Sequence, residues 1–284
     1  MKRIIIIMLV SALLGLEANA QNKDTVLILP GSSLIKPHEL KPHRIEFDEY
    51  LYRDSDTLIR EGRFYIQLTY GMINYRPVYF MSYMGVSATD SGFDIIRFDR
   101  ETLAIQFRVL QIDDQVAVLN FTPDRVYGNF PLRKDTFNLK IDRSVNKVGL
   151  GFDLNMDAYL YASLDLEVGM KFNWPAYSIT TGKARIFHSE VVDKRIITNK
   201  YGRSYEVFDI VNKGQQWTRE TEVLAEHHYI STQYPYYIGR DWWIESKDKK
   251  PYLWHRWLIN DSELLHTTLE EEIPVWIQSK PAKK

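Results

Sequence analysis

The stretch Asp157–Tyr177, DAYLYASLDLEVGMKFNWPAY, decides how this chain is read. Met156, Tyr159, Leu160, Ser163 and Leu164 recur at spacings of three and four, with no β-branched residue between them. That is the pattern of an amphipathic helix. Asp153 or Asn155 can cap its start and Gly169 can stop it, so a short helix is expected over residues 157–166. The stretch then enters an aromatic strand closed by Trp174-Pro175. What lies on either side reads as β-strand. The helix is therefore the one interruption in a long antiparallel sheet, and the apolar filling that the sheet curves around.

Working outward, Phe64, Ile66, Leu68 and Tyr70 alternate with Tyr65, Gln67 and Thr69, a half-buried strand. Residues 78–84 and 93–98 follow, separated by the turn Asp90-Ser91-Gly92. Leu103, Ile105, Phe107 and Val109 alternate with Ala104, Gln106 and Arg108, and Asp113-Asp114 turns this run into residues 116–121 as a hairpin. Phe137, Leu139 and Ile141 mark another strand. Beyond the helix, 184–198 is one long strand or two with a bend. Residues 204–211 follow, and Lys213-Gly214 is read as a turn into 216–230. Residues 241–245 and 252–260 make a closing hairpin across the Lys-rich turn 246–250. Near the start, 26–29 reads as an edge strand broken by Pro30-Gly31, while 45–53 and 54–61 are ambiguous.

Strands at a roughly regular 8–12-residue spacing imply one all-β sheet, curved or barrel-like. The expected fold is all-β with one short helix: a curved antiparallel sheet, or half-barrel, wrapped around that helix. The expected segments are a secretory leader (1–20), an irregular N-terminal extension (21–62), the half-barrel (63–276) and a disordered charged tail (277–284).

Lys and Arg number 36 against 37 Asp and Glu, so no bulk charge draws nucleic acid or an acidic membrane. Aromatics make up 13% of the 284 residues, which suits sheet faces and also the walls of binding concavities. Lys2 and Arg3, the apolar run 4–16 and Ala18-Asn19-Ala20 form a signal-peptide pattern. It points to a periplasmic or secreted protein, with no membrane span after its removal. The chain has no cysteine. Disulfides, thiolate nucleophiles, Cys-ligated zinc and the lipid-attachment cysteine of bacterial lipoproteins are thereby removed together.

Four features carry a family resemblance. They are Phe98-Asp99-Arg100-Glu101-Thr102-Leu103; the short helix and aromatic strand over 160–177; the strand 191–198; and 205–210 followed by Gln216-Trp217-Thr218. From Phe98 to about Asn260 the chain resembles an exported bacterial domain-of-unknown-function family. Its curved half-barrel is similar to that of the periplasmic lipoprotein-localisation carriers. Lys200-Tyr201-Gly202-Arg203-Ser204 stands where that family often has an Ala-Gly-Thr/Ser turn. The resemblance implies an antiparallel sheet around a helix, a greasy concavity, and an apolar or lipid-like ligand carried at the envelope. It brings no catalytic residues.

The residues themselves point the same way. His227-His228 with Glu226 suggests metal, but neighbours on a strand face opposite ways, so both histidines cannot easily hold one ion. A solvated strand face is the simpler reading. Ser189 between His188 and Glu190 is separated from them by the same alternation, and no G-x-S-x-G elbow or phosphate loop exists. Glu206, Asp209, Glu220, Glu222 and Glu226 fit the wet side of a sheet. Trp254 and Trp257 fall on opposite faces, so at most one of them lines a given cavity. The expectation is a non-enzymatic protein with no cofactor and no metal. Tyr159, Leu160, Phe172, Trp174 and Tyr177 would form the apolar wall or plug of its binding concavity. Two rivals remain. One is an interaction module that meets an envelope protein through the Trp-rich hairpin 241–260. The other is a carbohydrate binder or enzyme, marked by two carboxylates across a Trp-lined cleft.

Overall fold

The computed structural model describes residues 25–37, 40–54, 56–87, 91–112, 115–129, 136–140, 151–178, 183–199, 201–216, 222–245 and 251–263. The leader, the tail, and the expected turns at 90, 113–114 and 246–250 lie outside these residues. One sheet of 16 strands dominates, and it is not closed into a barrel.

The N-terminal run comprises β1 (Thr25–Leu27), β2 (His43–Arg53), β3 (Thr57–Ile73), β4 (Arg76–Ser87), β5 (Ser91–Asp99), β6 (Ile105–Ile112), β7 (Gln115–Thr122), β8 (Arg125–Asn129) and β9 (Thr136–Lys140). After the two-residue β10 (Phe152–Asp153) come a 3-10 turn (Leu154–Met156) and helix α1 (Asp157–Ala162). The second run is β11 (Lys171–Ser178), β12 (Lys183–Thr198), β13 (Ser204–Gln216), β14 (Glu222–Ile230), β15 (Tyr237–Glu245) and β16 (Pro251–Glu263). From β2 to β9 and from β11 to β16 the strands form two meanders of antiparallel neighbours, and the pairing of β16 with β2 joins the two into one surface. Both β1 and β10 add in parallel to the outer edge of β11, so the sheet is mixed at that border.

The sheet curls until its borders touch. Phe121 on β7 meets the Tyr177 ring of β11 at 5.7 Å. Arg108 on β6 reaches Asp153 on β10 at 2.9 Å. The amide of Gly31 donates to the Thr102 carbonyl at 3.0 Å.

Helix α1 sits in this hollow with all six residues buried. Six residues are too few for a helix to persist alone, so packing must hold it. Tyr159 donates its hydroxyl to His43 Nε2 at 2.8 Å, and His43 Nδ1–H donates to the Lys41 carbonyl at 2.8 Å. The imidazole thus ties the helix to β2. The helix is shorter than its periodicity predicts. Ser163 Oγ donates back to the Leu160 carbonyl at 2.7 Å, and Leu164 leaves the helix to bridge Ile35. Of the two expected caps, Asp153 caps the preceding 3-10 turn, accepting from the amide of the other, Asn155, at 2.8 Å.

Three segments differ from the sequence reading. Residues 43–62, assigned to an irregular extension, form β2 and the start of β3 in the middle of the sheet. Buried Asp48 beside buried Phe47, with Arg63 paired to Glu46 and Asp48, blurs the polar–apolar alternation that marks a strand. Lys213-Gly214 is no turn: β13 runs on to Gln216, with Lys213 opposite Ala225 and Gln215 opposite Val223. A strand glycine weakens a ladder without ending it when neighbours supply the hydrogen bonds. The hairpin β15–β16 forms as expected but lies inside the sheet, with β14 and β2 on its flanks, and so presents no free edge.

Two glycines bracket the helix segment with left-handed backbone. A Cβ at Gly151 (φ +75) would stand 2.1 Å from the Pro175 carbonyl oxygen, whereas one at Gly169 (φ +90) would meet nothing within 4 Å. Gly169→Ala should cost only the left-handed strain, about 1–2 kcal/mol. Gly151→Ala should cost clearly more, because β10 and β11 must part. Denaturant unfolding of the two variants checks that order.

Candidate functional site

Charged side chains enter the concave face from both meanders. On the first, Arg108 donates to Asp94 through Nε at 2.9 Å and Nη2 at 2.5 Å, and to Asp153 through Nη1 at 2.9 Å. All three residues are buried. Asn155 Nδ2 adds a bond to Asp94 at 3.0 Å, and the Tyr83 hydroxyl donates to the Asn155 carbonyl. Burial opposes the Arg108 charge, and the two carboxylates outweigh it, holding that guanidinium above its ordinary range. Asp153 is pushed up to about 6, first by burial and then by neighbouring Asp94, against the pull of Arg108.

On the second meander, Asn212 Nδ2 stands 3.1 Å from both Glu226 Oε2 and His228 Nε2. Its Oδ1 accepts from Ser189 Oγ at 2.5 Å and from the Tyr161 hydroxyl at 3.1 Å. Trp174 Nε1 donates to the same serine at 2.9 Å, so the network runs from the core to α1. Asn212 Nδ2 also reaches the Tyr161 hydroxyl at 2.9 Å, and His228 Nε2 lies 3.3 Å from Glu226 Oε2. Burial holds His228 below its ordinary pKa. Its Nδ1 points to Asp157 Oδ2 at 3.7 Å, beyond hydrogen-bond reach. Arg240 pairs with Glu226, and its Nη1 lies 3.6 Å from the same Asp157 oxygen.

A third group stands on β16. Arg256 donates to Glu49 Oε2 from Nε at 2.9 Å and Nη2 at 2.5 Å, and its guanidinium lies 3.7 Å from the centre of the Phe64 ring. Trp242 and Trp254 stack at 5.0 Å and 14°, with Arg240 over Trp242 at 4.7 Å.

These groups converge on a cavity of about 280 Å³. Asp94, Arg108, Asn155, Asp157, Arg240 and Arg256 supply its polar wall. Phe64, Tyr83, Phe93, Leu110, Tyr237, Trp242 and Trp254 supply the rest, with Gly85 and Gly92 leaving the space open. Asp157 Oδ2 and Arg240 Nε, both in residues that line it, are buried without a hydrogen bond, and the Tyr237 side chain lies beside Arg256.

Tyr159, Leu160, Phe172, Trp174 and Tyr177 are each 0% exposed. They share one core: Trp174 stacks on Phe187 at 4.8 Å, and Phe172 meets the edge of Tyr161 at 5.6 Å. They fill the concavity, Tyr159 and Leu160 from α1 itself, and none of them lines the cavity. Strand alternation separates the histidines as read: His227 pairs with Asp209 at 2.8 Å, while His228 points inward. The solvated face expected there is a buried one, since Glu226 and His228 are 3% and 0% exposed. Asp209 is also buried, and Glu206 is exposed. His188 bonds Asn173 on the exposed side, while Ser189 faces the core. Trp254 lines the cavity, and Trp257 does not; it stacks on Tyr229 at 5.2 Å. Among the described residues, no three His, Asp or Glu side chains are grouped to hold a metal ion.

Sequence reasoning missed Arg108, Asp94, Arg240 and Arg256. Alternation with Ile105, Phe107 and Val109 places Arg108 on the polar side of its strand. A register shift between Arg97 and Phe98 sets Phe98 against Ile105 and Arg97 against Phe107, so the parity reverses within β6. Ile105 therefore faces inward together with Arg108 and Leu110. One bulge moves every later side chain to the other face.

No family model matches the chain, and no curated protein matches it.

The raised Asp153 carboxyl gives a pH signature. The folded state holds this proton more tightly than the unfolded chain, so its contribution to stability is complete below about 3.8 and is lost as pH rises through about 6. Thermal melts of the wild type and Asp153→Asn between these limits check this. Relative to the variant, the wild type should lose stability as pH rises. Parallel pH profiles would refute it.

Proposed function

We propose that the protein is an exported, non-enzymatic binding protein whose half-barrel holds one small amphiphilic molecule in the cavity beside the start of α1. The observation that carries this reading is the cavity itself. About 280 Å³ stays open inside an otherwise filled concavity, close to the lower end of the ~300–1,000 Å³ usual for ligand sites. Its wall joins aromatic faces to a few convergent polar groups, the usual composition of a small-molecule site. Export is supported by the signal-peptide pattern of the first 20 residues. The resemblance to periplasmic half-barrel carriers supports a carrying role.

The occupant we favour is compact rather than a long acyl chain, because Tyr159, Leu160, Phe172, Trp174 and Tyr177 already occupy the apolar depth. A binding role is favoured over catalysis because the carboxylates around the cavity face guanidiniums, Asp157 among them at 3.6 Å from Arg240. Asp94 and Asp153 hold Arg108, Glu226 holds Arg240, and Glu49 holds Arg256.

Gly85 offers the test. A Cβ there would meet only the Phe64 ring, at 3.6 Å and 4.0 Å, both ordinary contacts. Gly85→Leu should therefore fold and fill the cavity. Native mass spectrometry of protein purified from its host envelope without detergent should show a small bound molecule on the wild type and none on the variant. The same adduct on both, or none on either, would count against the cavity as a binding site.

A further inference from the structure

We propose that the face of the sheet turned away from α1 carries a separate site, a cleft beside the β3–β4 turn that takes an anionic phosphate group through Arg76 and Arg97. It lies outside the concavity, so it stands or falls independently of the cavity.

Strand pairing places it. Arg97 on β5 stands opposite Phe80 of β4 and Phe107 of β6, and Asn120 of β7 stands opposite Phe107 and Tyr127 of β8. Residues directly opposite one another share a face. Ile96 and Phe98, on either side of Arg97, are 0% exposed and belong to the core, so the Arg97 row faces outward. In a meander alternate turns fall at the same end, which brings the β3–β4, β5–β6 and β7–β8 turns together. An open cleft of about 540 Å³ lies at that end, lined by Asn74, Arg76, Arg97, Gln106, Asn120 and Tyr127. The backbone fixes Arg76 there. Asn74 and Tyr75, with φ of 50° and 63°, make a two-residue turn that sets Arg76 opposite Ile73.

Charge selects the ligand. In the concavity Arg108, Arg240 and Arg256 each face a carboxylate. No acidic residue lines the outer cleft, and among the described residues no ion pair or hydrogen bond engages Arg76 or Arg97. Acids at two of the turns are occupied: Asp99 accepts from the Thr102 amide and hydroxyl, each at 2.9 Å, and Asp124 accepts from the Thr122 hydroxyl at 3.0 Å. Partial burial therefore acts on Arg97 unopposed and holds its guanidinium below the ordinary range. The Phe107 ring, 5.2 Å away, braces the group and brings no counter-charge. An anion entering here would offset that desolvation without displacing any existing pair.

The spread of donors selects the kind of anion. Asn74, Gln106 and Asn120 add side-chain amides from the turn, from β6 and from β7, and none of the three makes a side-chain hydrogen bond among the described residues. A carboxylate has two oxygens in one plane, which a single guanidinium fork can satisfy. A phosphate monoester carries a charge of about −1.5 to −2 and three strong acceptor oxygens. It can meet two guanidiniums and the amides around them.

The experiment follows the Nε–Hε signals of Arg76 and Arg97 in nitrogen-15 NMR spectra of the full chain, assigned with Arg76→Gln and Arg97→Gln. Glycerol 3-phosphate and sodium acetate are titrated separately at constant ionic strength. Glycerol 3-phosphate should shift both signals saturably, and acetate should shift neither over the same range. Each substitution should weaken the phosphate ester about tenfold, the scale of one charge-assisted contact. Tm should hold, since neither side chain has a partner to lose; if Arg97→Gln unfolds, Arg76→Gln on its exposed turn still decides the matter. Sedimentation with phosphatidylcholine vesicles containing phosphatidic acid separates the sources. Vesicle binding that Arg76→Gln weakens assigns a lipid headgroup, and shifts with glycerol 3-phosphate but no vesicle binding assign a soluble phosphate ester. Equal responses to acetate and glycerol 3-phosphate overturn the phosphate assignment. Silence from both anions and from the vesicles overturns the site, as does unchanged phosphate affinity in the folded variants.

Discussion

A wide sheet that curls without closing encloses a hollow, and a hollow in a protein must be packed or wet. Helix α1 meets that constraint here. It contributes Ala158, Tyr159, Leu160 and Tyr161 to the interior, and none of them is more than 2% exposed. Fully burying a large apolar side chain is worth about 1.5–3 kcal/mol, so the one short helix carries a large share of what holds the two meanders together. The polar ends of Tyr159 and Tyr161 do not spoil this burial, because His43 and Asn212 receive them. The two tyrosines thus anchor the helix to both halves of the sheet, one to β2 and the other to β13.

Where the helix begins, the filling stops being apolar. Asp153, Asn155 and Asp157 lead into or open it, and the sheet answers with Arg108 on one side and Arg240 on the other. Such charges are a poor way to gain stability. Replacing a buried ion pair or triad by well-packed apolar groups is often neutral or favourable by about 1–4 kcal/mol. Their presence at one end of the hollow, beside flat tryptophan walls, fits a region shaped for polar contact rather than for packing. Positional specificity is the second gain. Once buried, each guanidinium tolerates one arrangement, so the network fixes how β5, β6 and β10 meet across the open border of the sheet.

The shape of this fold was legible from residue types, and its interior chemistry was not. Period-two runs such as Phe64–Tyr70, and the three-four spacing from Met156 to Leu164, depend on local geometry that a sequence carries directly. The placement of β16 against β2 depends on a contact between the two ends of the domain, and no local pattern encodes it. The cavity failed to appear for a related reason. Alternation assigns a side chain to a face only while the register holds, and shifts occur in β6, in β15 and within the β12–β13 pair. At β6 the shift turned Arg108 from a solvent-facing residue into the centre of a buried triad. At β14 the alternation was right and the inference of solvent was wrong, because α1 covers a face that the strand alone would leave wet.

The position of the opening follows from the same geometry. Apolar depth is occupied as far as the helix extends, and α1 ends after six residues because Leu164 is drawn into the bridge with Ile35. At its other end the chain enters from β10, which the sheet border holds beside β11. The helix therefore cannot slide toward β3–β6 to cover the space there. Gly85 and Gly92, paired across β4 and β5, withhold the side chains that would otherwise fill it. Arg256, held by Glu49 and flattened on Phe64, and the stacked tryptophans are too constrained to collapse inward. The open volume is thus maintained by the pairing of β10 with β11, two glycines and a set of mutually locked planar groups. It would persist whether or not anything is bound.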